Sequence, residues 1–278
     1  RNFPTTGAYQ ITGPDVDPQT FEAYPVRSLI IAFTPGGGHR DVNTNILSHL
    51  LMKSEGPVRM AQFVFSSIEL GKALLKRAER DIQQGGKFDF VGVGDNPFAM
   101  REWSQFVKMS GLRVKTKIDE KTAKQKKPKK LKFYYEDVQN PWVKSLTADQ
   151  LRAVRRSVHV APAIYGTKKM FIGGTEYEVT AKLHHKIMSM GDFAVIGTSF
   201  NFTNQAEKNN EQILVFRDSK IASVVTGITE ELARRSPHTV FEEAERRTLR
   251  SEGKVRSEPR RGKPDDSKDV DDDSDETE

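Results

Sequence analysis

The sequence predicts an α/β fold: a mixed, largely parallel sheet flanked by helices, followed by a disordered acidic tail. Two apolar runs, Arg27 to Phe33 and Val58 to Phe65, have the length and composition of buried strands. The second run is followed by helical spacing from Ile68 to Gln83 and by a third strand-like run from Phe88 to Val93. A strand, a helix and a strand in this order predict a right-handed crossover between parallel strands.

The remaining elements of a single predicted domain, residues 27–250, follow from shorter patterns. Helical spacing predicts four further helices, over 41–52, 100–110, 220–235 and 236–250. The third of these has a predicted apolar face made of Ile221, Val224, Val225, Ile228 and Leu232. Further strands are predicted at 176–183, after the hairpin signal Gly173-Gly174, and at 212–216.

The two ends of the chain are predicted to lie outside this domain. Residues 1–26 contain four prolines and little periodicity, which predicts an irregular lead-in. Residues 251–278 contain 11 acidic and 6 basic residues and almost no apolar ones, which is typical of a disordered tail. Because residue 1 is Arg1, we expect that an upstream segment has been removed or that the sequence is a fragment.

Composition excludes several kinds of site. The 278 residues include no cysteine, so disulfides, thiolate catalysis and cysteine metal sites are excluded. The glycines at 36–38 follow a strand but lack the Gly-Lys-Ser/Thr ending of a phosphate loop, so we interpret them as a turn. None of His39, His49, His159 or His238 has a partner at metal-ligand spacing, so we expect no metal and no cofactor.

Charge is distributed unevenly. The formal net charge is +6, and because the tail contributes −5, residues 1–250 carry +11. Ten of the basic residues lie between Arg113 and Lys132. The stretch Lys124–Lys132 is either a solvated face or a contact for a polyanion such as nucleic acid or an anionic membrane. The aromatics that follow it, Phe133-Tyr134-Tyr135 and Trp142, are predicted to be core.

The candidate site lies in residues 182–203. Alternation places His184 and Lys186 on one face of a predicted strand, with Met188 beyond them. The turn Gly191-Asp192 leads to a second strand, which ends just before Ser199 and Asn201. An imidazole, an ammonium, a hydroxyl and a carboxamide in one place suit a phosphodiester, because lysine neutralises phosphate oxygens and histidine can attack phosphorus.

His184-x-Lys186 followed by Ser199-x-Asn201 resembles the HxK…GSxN signature of the phospholipase D superfamily, the HKD phosphodiesterases. The wording Ser-Phe-Asn-Phe-Thr, with Asn210-Glu211 downstream, is most similar to the small bacterial endonucleases of that group. The resemblance implies a metal-independent phosphodiesterase with His184, Lys186 and Glu211 catalytic and Lys186, Ser199 and Asn201 binding the phosphate. The family's acidic residue is replaced by Gly191, which leaves Asp192 as a displaced supporting carboxylate.

In that family each active site is built from two such signatures, and this chain has one. The resemblance therefore implies a second half-site, from a missing upstream segment or from the mate in a homodimer, and the segment is slightly favoured. It implies a phosphohistidine intermediate and a nucleic acid or phospholipid substrate, with nucleic acid slightly favoured. The alternative is a catalytically decayed module that binds nucleic acid or anionic membrane. His185, on the opposite side of the strand, is expected to support His184 or lie at the surface.

Overall fold

The computed structural model describes residues 10–12, 28–34, 42–118, 130–162, 167–172, 175–180 and 182–252. Its strands are β1 Gln10–Thr12, β2 Ser28–Thr34, β3 Val58–Gln62, β4 Phe90–Gly94, β5 Leu112–Ile118, β6 Lys130–Asp137, β7 Val158–Val160, β8 Thr167–Ile172, β9 Thr175–Thr180, β10 Lys186–Met190, β11 Phe193–Ile196, β12 Glu211–Arg217 and β13 His238–Thr239. Its α-helices are α1 Ser48–Lys53, α2 Ile68–Gln83, α3 Asn96–Ala99, α4 Gln105–Met109, α5 Pro141–Ser145, α6 Ala148–Ser157, α7 Ser219–Arg235 and α8 Val240–Ser251. A π-helical segment, Val42–Leu47, leads into α1.

A nine-stranded sheet organises the described part of the chain, in the order β1-β2-β12-β11-β10-β3-β4-β7-β13. The predicted parallel pairing of β3 with β4 across α2 is confirmed, and β4 with β7 and β1 with β2 are also parallel. The other five pairs in this sheet are antiparallel. The mixed α/β class is therefore confirmed, but the sheet is not largely parallel, because β10, β11 and β12 form an antiparallel meander between β2 and β3.

The meander divides its side chains between two layers. Met188 and Met190 of β10 are fully buried in the main core, on the side of Met60 and Val195. The alternate residue, Ser189, faces α7, where its hydroxyl lies 2.8 Å from the hydroxyl of Thr226. Because helices cover both faces, four of the five residues of β10 are buried and Ile187 is partly exposed.

Two helix predictions need correction. Residues 100–110 do not form one helix, since the chain turns at Trp103 and restarts at α4, where Ser104 accepts a hydrogen bond from the Phe106 amide. On α7 the buried positions include Ala222 and Val225, whereas Val224 is 61% exposed. The predicted apolar face of α7 was therefore rotated from the one that packs on the sheet, because small residues, Ala222 and Ala233 among them, contact it.

The remaining predictions concern the chain ends, the turns and one aromatic residue. The lead-in contributes the short strand β1, so it is not wholly irregular. The glycine turn at 36–38, the hairpin turn at 173–174, Lys124 to Lys129 and the tail from 253 lie outside the described residues. Trp142 is core as predicted, at 4% exposure. No helix in the described ranges has the length and apolarity needed to cross a bilayer.

Candidate active site

One edge of the sheet collects the candidate residues. The parallel strands β3 and β4 end there, at Gln62 and Gly94. Since β10 runs antiparallel to β3, it begins at the same edge with Lys186 paired to Gln62. By the same alternation β11 ends there, and β12 begins there with Glu211. The topology thus brings together His184, Lys186, the Ser199–Asn201 loop and Glu211.

His184 lies just before β10 rather than in it, because the strand starts at Lys186. The Lys186 Nζ is 3.2 Å from His184 Nδ1 and donates to the His184 carbonyl oxygen, also at 3.2 Å. The His184 ring is tilted 53° against the ring of Phe63, with centroids 4.4 Å apart. Lys186 and Phe63 therefore hold the imidazole in place while His184 stays exposed.

The electrostatics favour a neutral His184. Desolvation lowers the pKa of His184 below its ordinary 6.5, and the neighbouring Lys186 charge lowers it further. Burial likewise lowers the pKa of Lys186 from 10.5, against the opposing attraction of Glu211. Lys186 is only 5% exposed, so its ammonium has lost most of its water and is available to an anion at this edge.

The hydrogen bond from Lys186 also fixes the tautomer of His184. An ammonium only donates, so Nδ1 is the acceptor and a neutral ring carries its proton on Nε2. A histidine attacking through Nε2 needs the opposite tautomer. The ring could act as a nucleophile through Nε2 only if an anion took up the Lys186 ammonium, Nδ1 acquired a proton and Nε2 lost its own.

Ser199 and Asn201 are displayed by a loop that buries its alternate residues. Phe200 and Phe202 are fully buried, and the Phe202 carbonyl accepts from the amides of Ser66 and Ser67 at 3.0 Å. Ser199 is therefore exposed. Asn201 is half-buried, and its buried Oδ1 lacks a hydrogen-bond donor in the described structure.

Gly197 brings this loop close to the start of β10. Its amide donates to the Lys186 carbonyl at 2.7 Å, and a Cβ at this position would come within 2.5 Å of the Phe200 oxygen. A larger residue would therefore push the loop away from β10. Thr198, between Gly197 and Ser199, donates its hydroxyl to the Gln212 carbonyl at 3.0 Å.

Glu211 reaches the site without pairing with His184. Its Oε1 accepts from the Asn209 side chain at 3.3 Å, and it attracts Lys186 electrostatically. Neither ring nitrogen of His184 contacts it in the described structure. His185 is exposed, and its carbonyl accepts from the Phe63 amide at 2.7 Å, which agrees with the surface position expected for it.

Asp192 lies at the wrong end of the hairpin to support this site. Four residues of β10 separate Lys186 from Gly191, so the two Cα atoms are five residue rises, or about 17 Å, apart. The Asp192 carboxylate there accepts from Arg217 Nε at 3.0 Å. Gly191 has a φ of +60°, and a Cβ on it would collide with the Glu55 carbonyl oxygen. The turn geometry itself therefore requires glycine where the family has an acidic residue.

Sequence reasoning missed Asp95 and Gln62, which lie beneath the site. Asp95 is 1% exposed, and no side chain in the described structure donates a hydrogen bond to either carboxyl oxygen. Burial raises the pKa of Asp95 from 3.8 to about 6, opposed by Lys182 and by the Leu183 backbone next to His184. Gln62 is fully buried, donates to the Ile187 carbonyl at 3.0 Å and has an unpartnered Oε1. The sequence did contain a signal for both residues: each is a polar residue at or just after the carboxyl end of a buried parallel strand.

The described residues contain no group of three or more histidine, aspartate or glutamate side chains that could hold a metal ion. His159 is half-buried in β7, and desolvation lowers its pKa below 6.5. His49 lies in α1, and His238 lies in β13, an edge strand separated from β10 by β3, β4 and β7. His39 lies outside the described residues.

Comparison with known proteins gives two results. No family model and no curated protein matches the chain. Among solved structures, it is similar to a phospholipase D family member, Nuc from Salmonella typhimurium, with 15% identity over 75% of this chain and 95% of that one, at a TM-score of 0.42. It is also similar to NucT from Helicobacter pylori, with 12% identity over 75% of this chain and 97% of that one, at a TM-score of 0.44.

Proposed function

We propose that the chain is a phospholipase D-like phosphodiester hydrolase that works through a phosphohistidine at His184. The observation that carries the proposal is the buried Lys186 ammonium, 3.2 Å from the ring of a histidine whose pKa is lowered. A dehydrated cation beside a neutral imidazole suits attack on an anionic phosphodiester. The substrate is nucleic acid or phospholipid, with nucleic acid slightly favoured by the resemblance of residues 199–203 to the motif of small bacterial endonucleases.

Each residue has a proposed step. The substrate phosphate takes the Lys186 ammonium, with Ser199 and Asn201 donating to further phosphate oxygens. Nδ1 of His184, released from Lys186, takes up a proton and hydrogen-bonds through it to Glu211, while Nε2 gives up its own proton to solvent. The ring stays neutral, and Nε2 attacks phosphorus. The phosphorus–oxygen bond to the leaving group breaks as the nitrogen–phosphorus bond forms. Water then attacks phosphorus, and the nitrogen–phosphorus bond breaks.

The leaving oxygen of a natural phosphodiester needs a proton, which a second histidine would supply. We propose that it comes from a second half-site, in an upstream segment or in the mate of a homodimer. The solvent-exposed position of His184 at the sheet edge supports this, because a facing surface can reach it. A decayed binding module remains the alternative; the absence of a His184–Glu211 hydrogen bond in the described structure favours it.

The test is turnover of bis(p-nitrophenyl) phosphate with EDTA present, by this chain and by its His184→Ala variant. We expect metal-independent release of p-nitrophenol that the variant lacks. An Asp192→Asn variant is the matched control and keeps its activity, because Asp192 lies at the far end of β10. Turnover that EDTA abolishes, or that His184→Ala retains, would contradict the proposal.

A further inference from the structure

A cleft of about 510 Å³ adjoins the candidate phosphate site. It is continuous with that site, since Asn201 and Glu211 line it. The cleft is also lined by the indole of Trp103 and by three carboxamide side chains, those of Asn204, Gln205 and Asn209. A flat aromatic surface beside several amides differs from the cationic surroundings of a phosphate.

Trp103 is exposed where its burial would be favourable. It is 37% exposed, whereas the other tryptophan, Trp142, is 4% exposed in the core. A tryptophan offers a large apolar surface that a folded chain ordinarily covers, so an exposed one in a cleft is a candidate ligand contact.

An aromatic series connects Trp103 to the proposed nucleophile. The rings of Trp103 and Phe98 have centroids 6.2 Å apart, and Phe98 contacts Phe63 edge-on at 4.7 Å. Phe63 is the ring against which His184 rests, at 4.4 Å. The packing that orients the imidazole thus also fixes the position of the indole.

The carboxamide side chains that line the cleft have donors and acceptors with few hydrogen-bond partners in the described structure. Asn201 Oδ1 is buried without a donor in the described structure, and a buried acceptor left unpaired is costly. Asn204 and Gln205 are exposed, and the Gln205 amide reaches only Asn209, at 3.5 Å. Asparagine and glutamine side chains pair readily with the donor and acceptor edges of nucleobases.

We propose that this cleft is a nucleobase subsite, in which one base of a single-stranded nucleic acid stacks on Trp103 while the neighbouring phosphate lies at Lys186. The inference rests on the proposed function for the position of the phosphate and selects nucleic acid as the substrate class. A single strand is required because a base held in a duplex has no free face to stack. A phospholipid headgroup has neither the flat π surface that stacks on an indole nor the edge of hydrogen-bond donors and acceptors that pairs with carboxamide side chains.

The test uses the full chain with His184→Ala, so that binding is measured without turnover. Oligothymidylate is added and intrinsic fluorescence followed; because Trp142 is buried, quenching by a stacked base reports Trp103. We expect saturable quenching, lost in Trp103→Ala together with a roughly five- to hundredfold loss of affinity measured by anisotropy of a labelled oligonucleotide. Trp103→Phe retains a stacking ring and should keep most of the affinity.

Phe33→Ala is the matched control, because Phe33 is an aromatic at the same edge of the sheet, 59% exposed, that does not line the cleft. Its affinity should equal that of the parent within about twofold, since it offers no stacking contact there. Unchanged oligonucleotide affinity in Trp103→Ala would overturn the proposal. So would Trp103 emission that responds to phosphatidylglycerol vesicles and not to the oligonucleotide, which would indicate a lipid surface instead.

Failure of the catalytic proposal is distinguishable from failure of this one. Binding in the His184→Ala chain does not depend on chemistry, so it stands even if no phosphodiester is cleaved. Conversely, the result for Trp103→Ala is read from oligonucleotide affinity alone, so it supports or overturns the nucleobase subsite whether or not the parent chain cleaves bis(p-nitrophenyl) phosphate.

Discussion

The pairing of Lys186 with His184 sets the state of the proposed nucleophile. Desolvation and the Lys186 charge lower the pKa of the imidazole, and the ammonium holds its Nδ1, so the resting ring is neutral but has the wrong tautomer for attack through Nε2. Binding of a phosphate would reverse this, because the anion competes for the same ammonium. Substrate would thereby activate its own nucleophile.

Replacing Lys186 by methionine tests this coupling. Lys186→Met should raise the pKa of His184 toward 6.5, since the neighbouring charge is gone, and should lower turnover by about 10²- to 10³-fold. NMR titration of the His184 ring measures the first effect. Lys182→Met removes an exposed lysine equally near in sequence and should leave the His184 pKa where it is. A His184 pKa unchanged in Lys186→Met would contradict the coupling.

Asp95 makes a pH-dependent contribution to stability. Its pKa is about 6 in the folded chain against 3.8 for the free group, so the folded state binds the proton more tightly. Stability from this group is therefore complete below about pH 4 and is lost as pH rises through 6, by roughly 3 kcal/mol. The fold retains a carboxylate that destabilises it at neutral pH, which is a pattern of functional sites.

Asp95→Asn should remove that loss. In urea unfolding at pH 7.5 we expect the free energy of unfolding of the variant to exceed that of the parent by up to about 3 kcal/mol. This difference should shrink toward pH 4. Asp192→Asn is the control; it breaks a partly exposed ion pair with Arg217 and should not stabilise the chain. A variant less stable than the parent at pH 7.5 would show that Asp95 has a stabilising partner.

At the scale of elements, the hairpin explains which positions could be predicted from the sequence. That His184, Lys186, Ser199 and Asn201 lie at one end of the sheet was predictable, because they belong to one local motif. Asp192 was not placed correctly, since a turn at the end of a five-residue strand lies at the opposite edge from the residue that begins it. α7 was predicted in extent but not in orientation, because its packing uses alanine and threonine, which periodicity of large apolar residues does not detect.

Substitution of a glycine in the β10–β11 turn, compared with substitution of a helical glycine, tests the turn geometry. Gly191→Ala should destabilise the chain by about 2 kcal/mol or more, because its φ of +60° is costly for any other residue and the Cβ meets the Glu55 backbone. Gly227→Ala is the matched substitution in α7, where nothing lies within 4 Å of the added Cβ, and should stabilise by up to about 1 kcal/mol. Thermal unfolding of both variants measures the contrast. Equal effects would contradict it.

For the whole molecule, strand order determines which residues share a site. Gln62 and Asp95 belong to the site region only because β3 and β4 end where β10 begins. No local pattern encodes that meeting, since it depends on the insertion of the meander between β2 and β3. The α/β class followed from the succession of elements, whereas the proportion of antiparallel pairs did not.

Covalent capture tests the central claim most directly. Bis(p-nitrophenyl) phosphate is mixed with this chain, quenched within one turnover and analysed by peptide mass spectrometry. Because p-nitrophenolate leaves without a proton donor, the first step needs no second half-site. We predict release of p-nitrophenolate and a p-nitrophenyl phosphoryl group on the peptide containing His184, both absent from His184→Ala. A chain that acquires no adduct, or acquires it at another residue, would contradict a phosphohistidine mechanism at His184.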